Sequence, residues 1–214
     1  TGGSAMRRVI TAVVVAAVLA PAAAWANGYK ILGVKSVRAS GMGEAFAAQA
    51  DDPSAIAINP AGIAQIDGTQ ADIEATVCNA YTRHAPAAGD TDRNESQWQV
   101  VPSAFVTSDF GCKNLRFGLG VTVPNGLSSE WEETGFARYV TTYSSLSVAD
   151  ISPCVAARIG DHLMVGGAAD FYYSKAELNR MLDAGLAAGA PGAMDMKASL
   201  EGTGNAWGFN LGAI

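Results

Sequence analysis

Long strands with strict two-residue alternation constrain this chain more than any other feature. Thr69 to Arg83 reads TQADIEATVCNAYTR, with Ala71, Ile73, Ala75, Val77 and Tyr81 on one side and Gln70, Asp72, Glu74, Thr76 and Thr82 on the other. Leu115 to Val123 sets Leu115, Phe117, Leu119, Val121 and Val123 against Arg116, Gly118, Gly120 and Thr122. Leu163 to Ser174 sets Leu163, Val165, Gly167, Ala169, Phe171 and Tyr173 against Met164, Gly166, Ala168, Asp170, Tyr172 and Ser174. Side chains alternate across a strand, so each segment predicts a sheet with one apolar and one small or polar face.

Two architectures use that pattern. A secreted soluble β-protein turns the apolar face into a core, whereas an outer-membrane barrel turns it out to lipid and lines its lumen with the polar face. The candidate strands are Thr69 to Arg83, Trp98 to Phe110, Leu115 to Gly126, Leu146 to Ile159, Leu163 to Leu178 and Ser199 to Ile214. Each supplies the ~9–11 residues that a tilted strand needs to cross a bilayer. The connections GCKN and GDH are tight, whereas His84 to Gln97, Leu127 to Ser145 and Asn179 to Ala198 are long. Short turns at one end and long loops at the other favour the barrel. Tyr81, Trp98, Tyr172, Tyr173 and Trp207 lie toward strand ends, where interfacial girdles sit. Pro102 leaves the facing of the second strand open. The sixth strand runs into Ile214, and six strands leave two open edges that lipid does not tolerate; the expectation is the N-terminal portion of a longer barrel.

The first residues predict export. Arg7 and Arg8 precede the apolar run VITAVVVAAVLA and the small-x-small triplet Ala24-Trp25-Ala26, a leader with a cut before Asn27. The apolar run falls short of the roughly 20 residues of a spanning helix. The chain has 14 basic and 20 acidic residues, and losing Arg7 and Arg8 leaves 12 basic residues, a net charge of −8. A phosphate-gripping protein needs a basic face, so nucleic acid is excluded as a partner. Cys78, Cys112 and Cys154 are odd in number and lack CxxC spacing, which supports neither a zinc site nor a complete disulfide framework.

Between leader and strands lies DDPSAIAINPAGIAQI, Asp51 to Ile66. Asp52 before Pro53 and Asn59 before Pro60 each place a capping side chain ahead of a proline at the first helical position. Two helices of one or two turns are marginal alone and must pack on something. Residues 27–67 are rich in Gly, Ala and Ser, too small to build a separate core. They suit a plug filling the lumen of residues 68–214, with residues 1–26 as upstream residues and leader.

The succession NGYKILGVKSVRASGMGEAFAAQADDPSAIAINPAGIAQI, with SGMGEAFA, ADD and NPA at these spacings, resembles the N-terminal hatch of the FadL/TodX family of outer-membrane transporters. The resemblance continues through VPSAFV, FGLGVTVPNGL, the Leu146 to Leu178 hairpin and NAWGFNLGAI. It implies an all-β transmembrane antiparallel barrel of 14 strands, about six of them present here, with a small helical hatch. It also implies a monomer that carries long-chain fatty acids or other hydrophobic molecules without energy input, and no enzyme activity. By the same resemblance, Asn27, Gly28, Tyr29 and Ile31 lie near the internal ligand site, and Asn59, Pro60 and Ala61 form the NPA element. Pro124, Asn125 and Gly126 mark a lateral opening toward membrane lipid. Leu178, Met181, Leu182 and Leu186, which recur at helical spacing, line an external greasy groove.

A greasy groove, dry pocket and side door suit an apolar cargo, because exposing its tail to water costs ~0.8 kcal/mol per methylene. A carboxylate head wants a cation or backbone N–H groups, and Lys30, Lys35, Arg38 and Arg116 are the candidates. Fatty acid and aromatic hydrocarbon stay open as cargo, as does the alternative of a polar-solute porin or a non-transport outer-membrane barrel. No cofactor or metal is expected: Gly41-Met42-Gly43 lacks the βαβ context of a dinucleotide loop, and Asp51 and Asp52 read as capping rather than metal-binding residues. His84 and His162 stand singly in a loop and a turn. The acidic SEWEETG reads as a solvated loop. Asp72 and Glu74 face the lumen, either tuning selectivity or pairing with hatch cations. No nucleophile, base and oxyanion set is present for a lipase.

Overall fold

The computed structural model describes residues 35–85, 91–95, 97–187 and 189–214; the leader, Asn27, Gly28, Tyr29, Lys30 and Ile31 lie outside them. The described elements are a short helix α1 (Val37–Gly41), two 3-10 helices (Pro53–Ala57 and Pro60–Gln65), and eight strands with one further helical turn. β1 (Thr69–Ala80), β4 (Gln97–Ser108), β5 (Leu115–Glu130), β6 (Tyr143–Ile159), β7 (Leu163–Asp183) and β8 (Asp195–Ala213) form one antiparallel sheet in sequence order. β2 (Arg83–His84) and β3 (Asp92–Arg93) form a separate two-residue ladder, and α2 (Ala184–Ala187) is a single turn before β8.

At the long-loop end β1 stops at Ala80, three residues short of its expected Arg83, because its ladder with β4 ends at Gln97, whereas the other five strands outlast their expected bounds. β5 continues through Ser128 to Glu130, β6 begins at Tyr143, and β7 and β8 meet at Asp183↔Asp195. Glycines and serines that read as loop pair here because a long partner strand lies beside them. At the other end β4 stops two residues early. Asp109 accepts hydrogen bonds from the Gly68 and Gly111 amides at 2.8 and 2.9 Å, while Phe110 and Gly111 adopt φ of 45° and 78°. These backbone bonds, the one from Gly111 foremost, hold the Asp109 carboxyl below its ordinary range.

The sheet is apolar on the side away from its interior packing. Ile73, Val77, Val100, Leu119, Phe209 and Leu211 are exposed, and Ile73 reaches 85 %. The opposite face buries Phe105, Cys154, Ala156 and Ala168 against Phe46, Ala55, Ile56, Ile63 and Ile66 of the N-terminal segment. An exposed apolar band of this extent is untenable in water and natural in lipid. Trp98, Tyr173 and Trp207 lie on the outer face, Trp98 near the long-loop end of β4 and Tyr173 midway along β7, and beyond Tyr173 that face turns polar with Lys175 and Glu177. Tyr172 does not join this girdle, contrary to expectation. It shares the parity of buried Asp170, and its ring lies over Gly208, because adjacent strand residues cannot face the same side.

Candidate functional site

The N-terminal segment is held by its caps and by the wall. Asp52 accepts from the Ser54 amide at 2.9 Å and Asn59 from the Ala61 amide at 3.2 Å, each with proline at the first helical position. Asn59 also donates to the carbonyls of Ala47 at 2.8 Å and Ala213 at 3.3 Å, tying the segment to the end of β8. Gly166 and Gly212 make room for this element. A Cβ on Gly166 would lie 2.5 Å from the Pro60 carbonyl carbon, and one on Gly212 would lie 1.9 Å from Asn59 Oδ1.

The wall's cations serve this seat. Arg116, 4 % exposed, donates through Nε to the Ile66 carbonyl, through Nη1 to the carbonyls of Cys112 and Leu115 at 2.9 Å, and through Nη2 to Asp67 at 2.6 Å. Arg158 donates to the Ala64 carbonyl at 2.9 Å. Together they satisfy carbonyls left open where the second 3-10 helix ends. Arg38 bridges Asp51 at 2.9 Å and Asp52 at 3.1 Å, and the Asp52 hydrogen bond leads in raising its pKa. Lys35 Nζ lies 3.5 Å from the Ala57 carbonyl. Of the four candidate head-group cations, Arg116 thus holds the segment from the wall, Lys35 and Arg38 bond within the segment itself, and Lys30 lies outside the described residues. Glu74 accepts from the Val37 amide at 2.9 Å rather than from a cation.

Above this seat the sheet divides. The β4–β5 ladder runs from Ser108↔Phe117 to Ala104↔Val121 and goes no further. Beyond it β4 remains paired with β1 as far as Gln97, and β5 remains paired with β6 as far as Glu130. The β5–β6 register shifts by one residue between Thr122 and Asn125, which carries buried Pro124 and turns β5 aside. Proline has no amide to offer a ladder, so the position tolerates the break. Of the predicted opening residues, Pro124 lies within the shift, and Asn125 and Gly126 resume pairing with Val148 and Ser147.

A bridge and a cap bound the split. Gln99 Nε2 donates to Ser128 Oγ at 2.5 Å across it. At its outer end the Glu95 amide donates to the Glu130 carbonyl at 2.8 Å, and Asn94 exchanges hydrogen bonds with the Thr82 backbone. His84 stacks on Phe136 with ring centroids 4.1 Å apart, and Trp131 meets Phe136 edge-on at 5.1 Å. His84, a solitary loop residue in the sequence, therefore joins the two long loops over the split. Arg83 reads as the end of the first strand rather than the start of a separate ladder, and His84 and residues 92–93 carry no strand signal that would reveal this.

The four residues expected at helical spacing along an external groove do not share a helix. Leu178 and Leu182 lie on β7, where they pair with Leu200 and Met196 of β8, with Arg180↔Ala198 between. Those pairs share one face of the projecting hairpin. Met181 points to the other face, and Leu186 sits exposed on α2. The four-residue spacing of Leu178 and Leu182 satisfies strand and helix alike, and only the partner strand decides between them. On the opposite face the hairpin is tied to the β5–β6 loop by Tyr139 to Asp195 at 2.9 Å and by Lys197 to Glu133 at 2.7 Å.

Residues 16–214 match the family described as outer membrane protein transport protein (OMPP1/FadL/TodX). The chain is 30 % identical over 142 residues to NMB0088 of Neisseria meningitidis serogroup B, a protein whose name assigns it provisionally to the outer membrane; the match covers 60 % of this chain and 29 % of that one. Its fold is similar to a Pseudomonas aeruginosa FadL homologue, with TM-score 0.56, 18 % identity and coverage of 76 % of this chain and 44 % of the other. It is similar also to the P. putida toluene transporter TodX, with TM-score 0.57, 19 % identity and coverage of 76 % and 47 %. The chain spans less than half the length of each of these relatives. An outward apolar band, a sheet split on one flank and the match along residues 16–214 lead to one conclusion: the chain belongs to the OMPP1/FadL/TodX family of the outer membrane, and its strands are wall of a transmembrane β-barrel.

Proposed function

We propose that the full-length protein carries hydrophobic molecules passively across the outer membrane and releases them sideways through the split between β4 and β5. The observation that supports this most is the ladder's end at Ala104↔Val121 while both strands keep their other neighbours. Lipid does not tolerate unpaired backbone facing it, so a split of this kind calls for a use. A side opening lets an apolar molecule pass from barrel interior to bilayer without crossing water, which avoids the cost of hydrating its tail.

Residues 27–67 act as the hatch, and the proposed domain division is leader, hatch and barrel wall. The hatch blocks the straight path toward the short-turn end, because Arg116, Arg158 and Asn59 fasten it to the wall there. Cargo is first gathered on the apolar pairs Leu178↔Leu200 and Leu182↔Met196. The toluene named for TodX and the fatty acids of the family are the two cargo classes. The function requires no catalysis and no cofactor.

A reversible lock tests the reading. Ser103→Cys and Thr122→Cys, one position past the last ladder pair, are introduced into the full-length protein with Cys78 and Cys112 changed to Ser. Oxidation is expected to stop uptake of a hydrophobic probe into vesicles, and reduction to restore it. Unchanged uptake with the bond shown to form refutes lateral release, and ion conductance in place of probe uptake supports a polar pore.

A further inference from the structure

The ladder between β7 and β8 runs from Val165↔Ala213 to Asp183↔Asp195 with every pair in register. Side chains therefore keep their faces along its whole length. Ala168, buried against the N-terminal segment, shares its face with Leu178, Arg180 and Leu182, so the apolar side of the projecting hairpin continues the side that looks inward lower down. The partners of those three from β8 are Leu200, Ala198 and Met196. Leu178, Leu182, Met196 and Leu200 are exposed, Leu200 at 68 %. They lie beyond Tyr173, where the outer face has already turned polar with Lys175 and Glu177, so this patch does not belong to the lipid band. Exposed apolar surface in such a place marks a binding surface.

Charge is sorted across this hairpin. Lys175, Glu177, Asp183, Asp195, Lys197 and Glu201 all take the opposite parity, where Lys197 meets Glu133 and Asp195 meets Tyr139. On the apolar face, from Ser174 to Leu182 and from Met196 to Gly204, a single charged side chain remains, and it is Arg180. Its guanidinium stands between the Leu178↔Leu200 and Leu182↔Met196 pairs, and its own partner is the small Ala198. Leu178, Arg180, Ala198, Ser199 and Leu200 line an open hollow of about 410 Å³. One cation set in an apolar floor, with the hairpin's carboxylates turned to the other side, matches a molecule with an anionic head and an apolar tail.

We propose that Arg180 anchors the head of a long-chain carboxylate in the external groove while the tail lies along the flanking leucine and methionine pairs. This rests on the gathering step argued above and chooses between its two cargo classes: a fatty acid has a head for Arg180, and an aromatic hydrocarbon has none. A guanidinium offers a carboxylate two parallel N–H groups. At a rise of ~3.4 Å per residue, the pairs two positions away on either side stand ~7 Å from the Arg180 row, so a tail leaving the head meets them at once. An ion pair this exposed is weak alone, and the head is held loosely enough to move on toward the interior.

The test uses the full-length protein in phosphatidylcholine discs, with Cys78→Ser, Cys112→Ser, buried Cys154 kept, and a polarity-sensitive dye attached at Gly202→Cys. Position 202 lies on the same face, two residues from Leu200, and a Cβ there meets nothing within 4 Å. Ionised dodecanoate is expected to shift the dye at a concentration roughly tenfold below that of dodecanol, which has the same tail. Arg180→Gln should bring the two midpoints together. Equal midpoints with Arg180 present, or a gap that survives Arg180→Gln, overturn the anchor and leave the gathering groove standing. Absence of a saturable response to either molecule overturns the groove itself, and the anchor with it. The comparison with Arg180 present is decisive even where the variant folds poorly.

Discussion

The two halves of β5 lie on one strand but in different surroundings. From Phe117 to Val121 the strand has a neighbour on each side, and from Leu115 on it has an apolar outer face and an inner face on which Arg116, Gly118 and Gly120 meet the N-terminal segment. From Asn125 to Glu130 it keeps β6 alone, its residues are smaller, and Gln99 reaches across to Ser128. The lower half is a seat, and the upper half is the door of the proposed passage. Rigidity comes from two ladders and a packed interior, and freedom to part comes from losing one of each. Function that needs an opening is placed where the least stability is forfeited.

The sharpest way to break this contrast is to unseat the segment. In the full-length protein, Gly166→Val drives a side chain into the Pro60 backbone, which has no room to shift. Overpacking of this kind is expected to cost about 3 kcal/mol, read as a lower urea midpoint for the folded barrel. Arg116→Met comes next. It strands the Ile66, Cys112 and Leu115 carbonyls, and charge-assisted bonds of this sort support a loss of about 2 kcal/mol. Restoration of the midpoint by Arg116→Lys would show that charge alone suffices and weaken the assignment to a branched donor. Asn59→Ala removes a cap and two bonds to carbonyls, for about 1 kcal/mol.

The upper half should answer in the opposite way. Gln99→Leu deletes the bridge to Ser128 and is expected to cost under about 0.5 kcal/mol, while probe uptake into vesicles rises. A stability loss as large as that of Arg116→Met would show that the bridge holds the strand rather than the door. The smallest effect concerns the turn after β4. The Asp109 pKa is depressed in the fold, so its contribution is present above the unfolded value of 3.8 and is lost as pH falls through the lower folded value. Asp109→Asn should flatten the acid limb of the stability profile below that pH and leave the neutral region nearly unchanged.

Much of this was legible beforehand, and the reasons are local. The alternation from Thr69 onward assigns the faces of β1, β5 and β7, because side chains must alternate across a strand whatever surrounds it. Asp52-Pro53 and Asn59-Pro60 announced their helices, because a cap acts on amides two residues away. The helical reading of Leu178 and Leu182 fails, since they satisfy both periods and their partners Leu200 and Met196 lie 22 and 14 residues along. Arg116 is one of four cations the sequence offers for a cargo head, and only the fold shows that its side chain holds the Ile66 carbonyl, fifty residues earlier in the chain.

By itself, then, the sequence determined the strands, their faces, the capped turns and the family. These depend on residue type at short spacing, and the apolar face chooses lipid because no core of this size is available to it. Tertiary structure alone decided where the β4–β5 ladder stops, which cations are already engaged, and that Arg180 lies between the pairs Leu178↔Leu200 and Leu182↔Met196. Each of those is a relation between strands distant in sequence, set by register, and register is a property of the paired sheet rather than of any one segment.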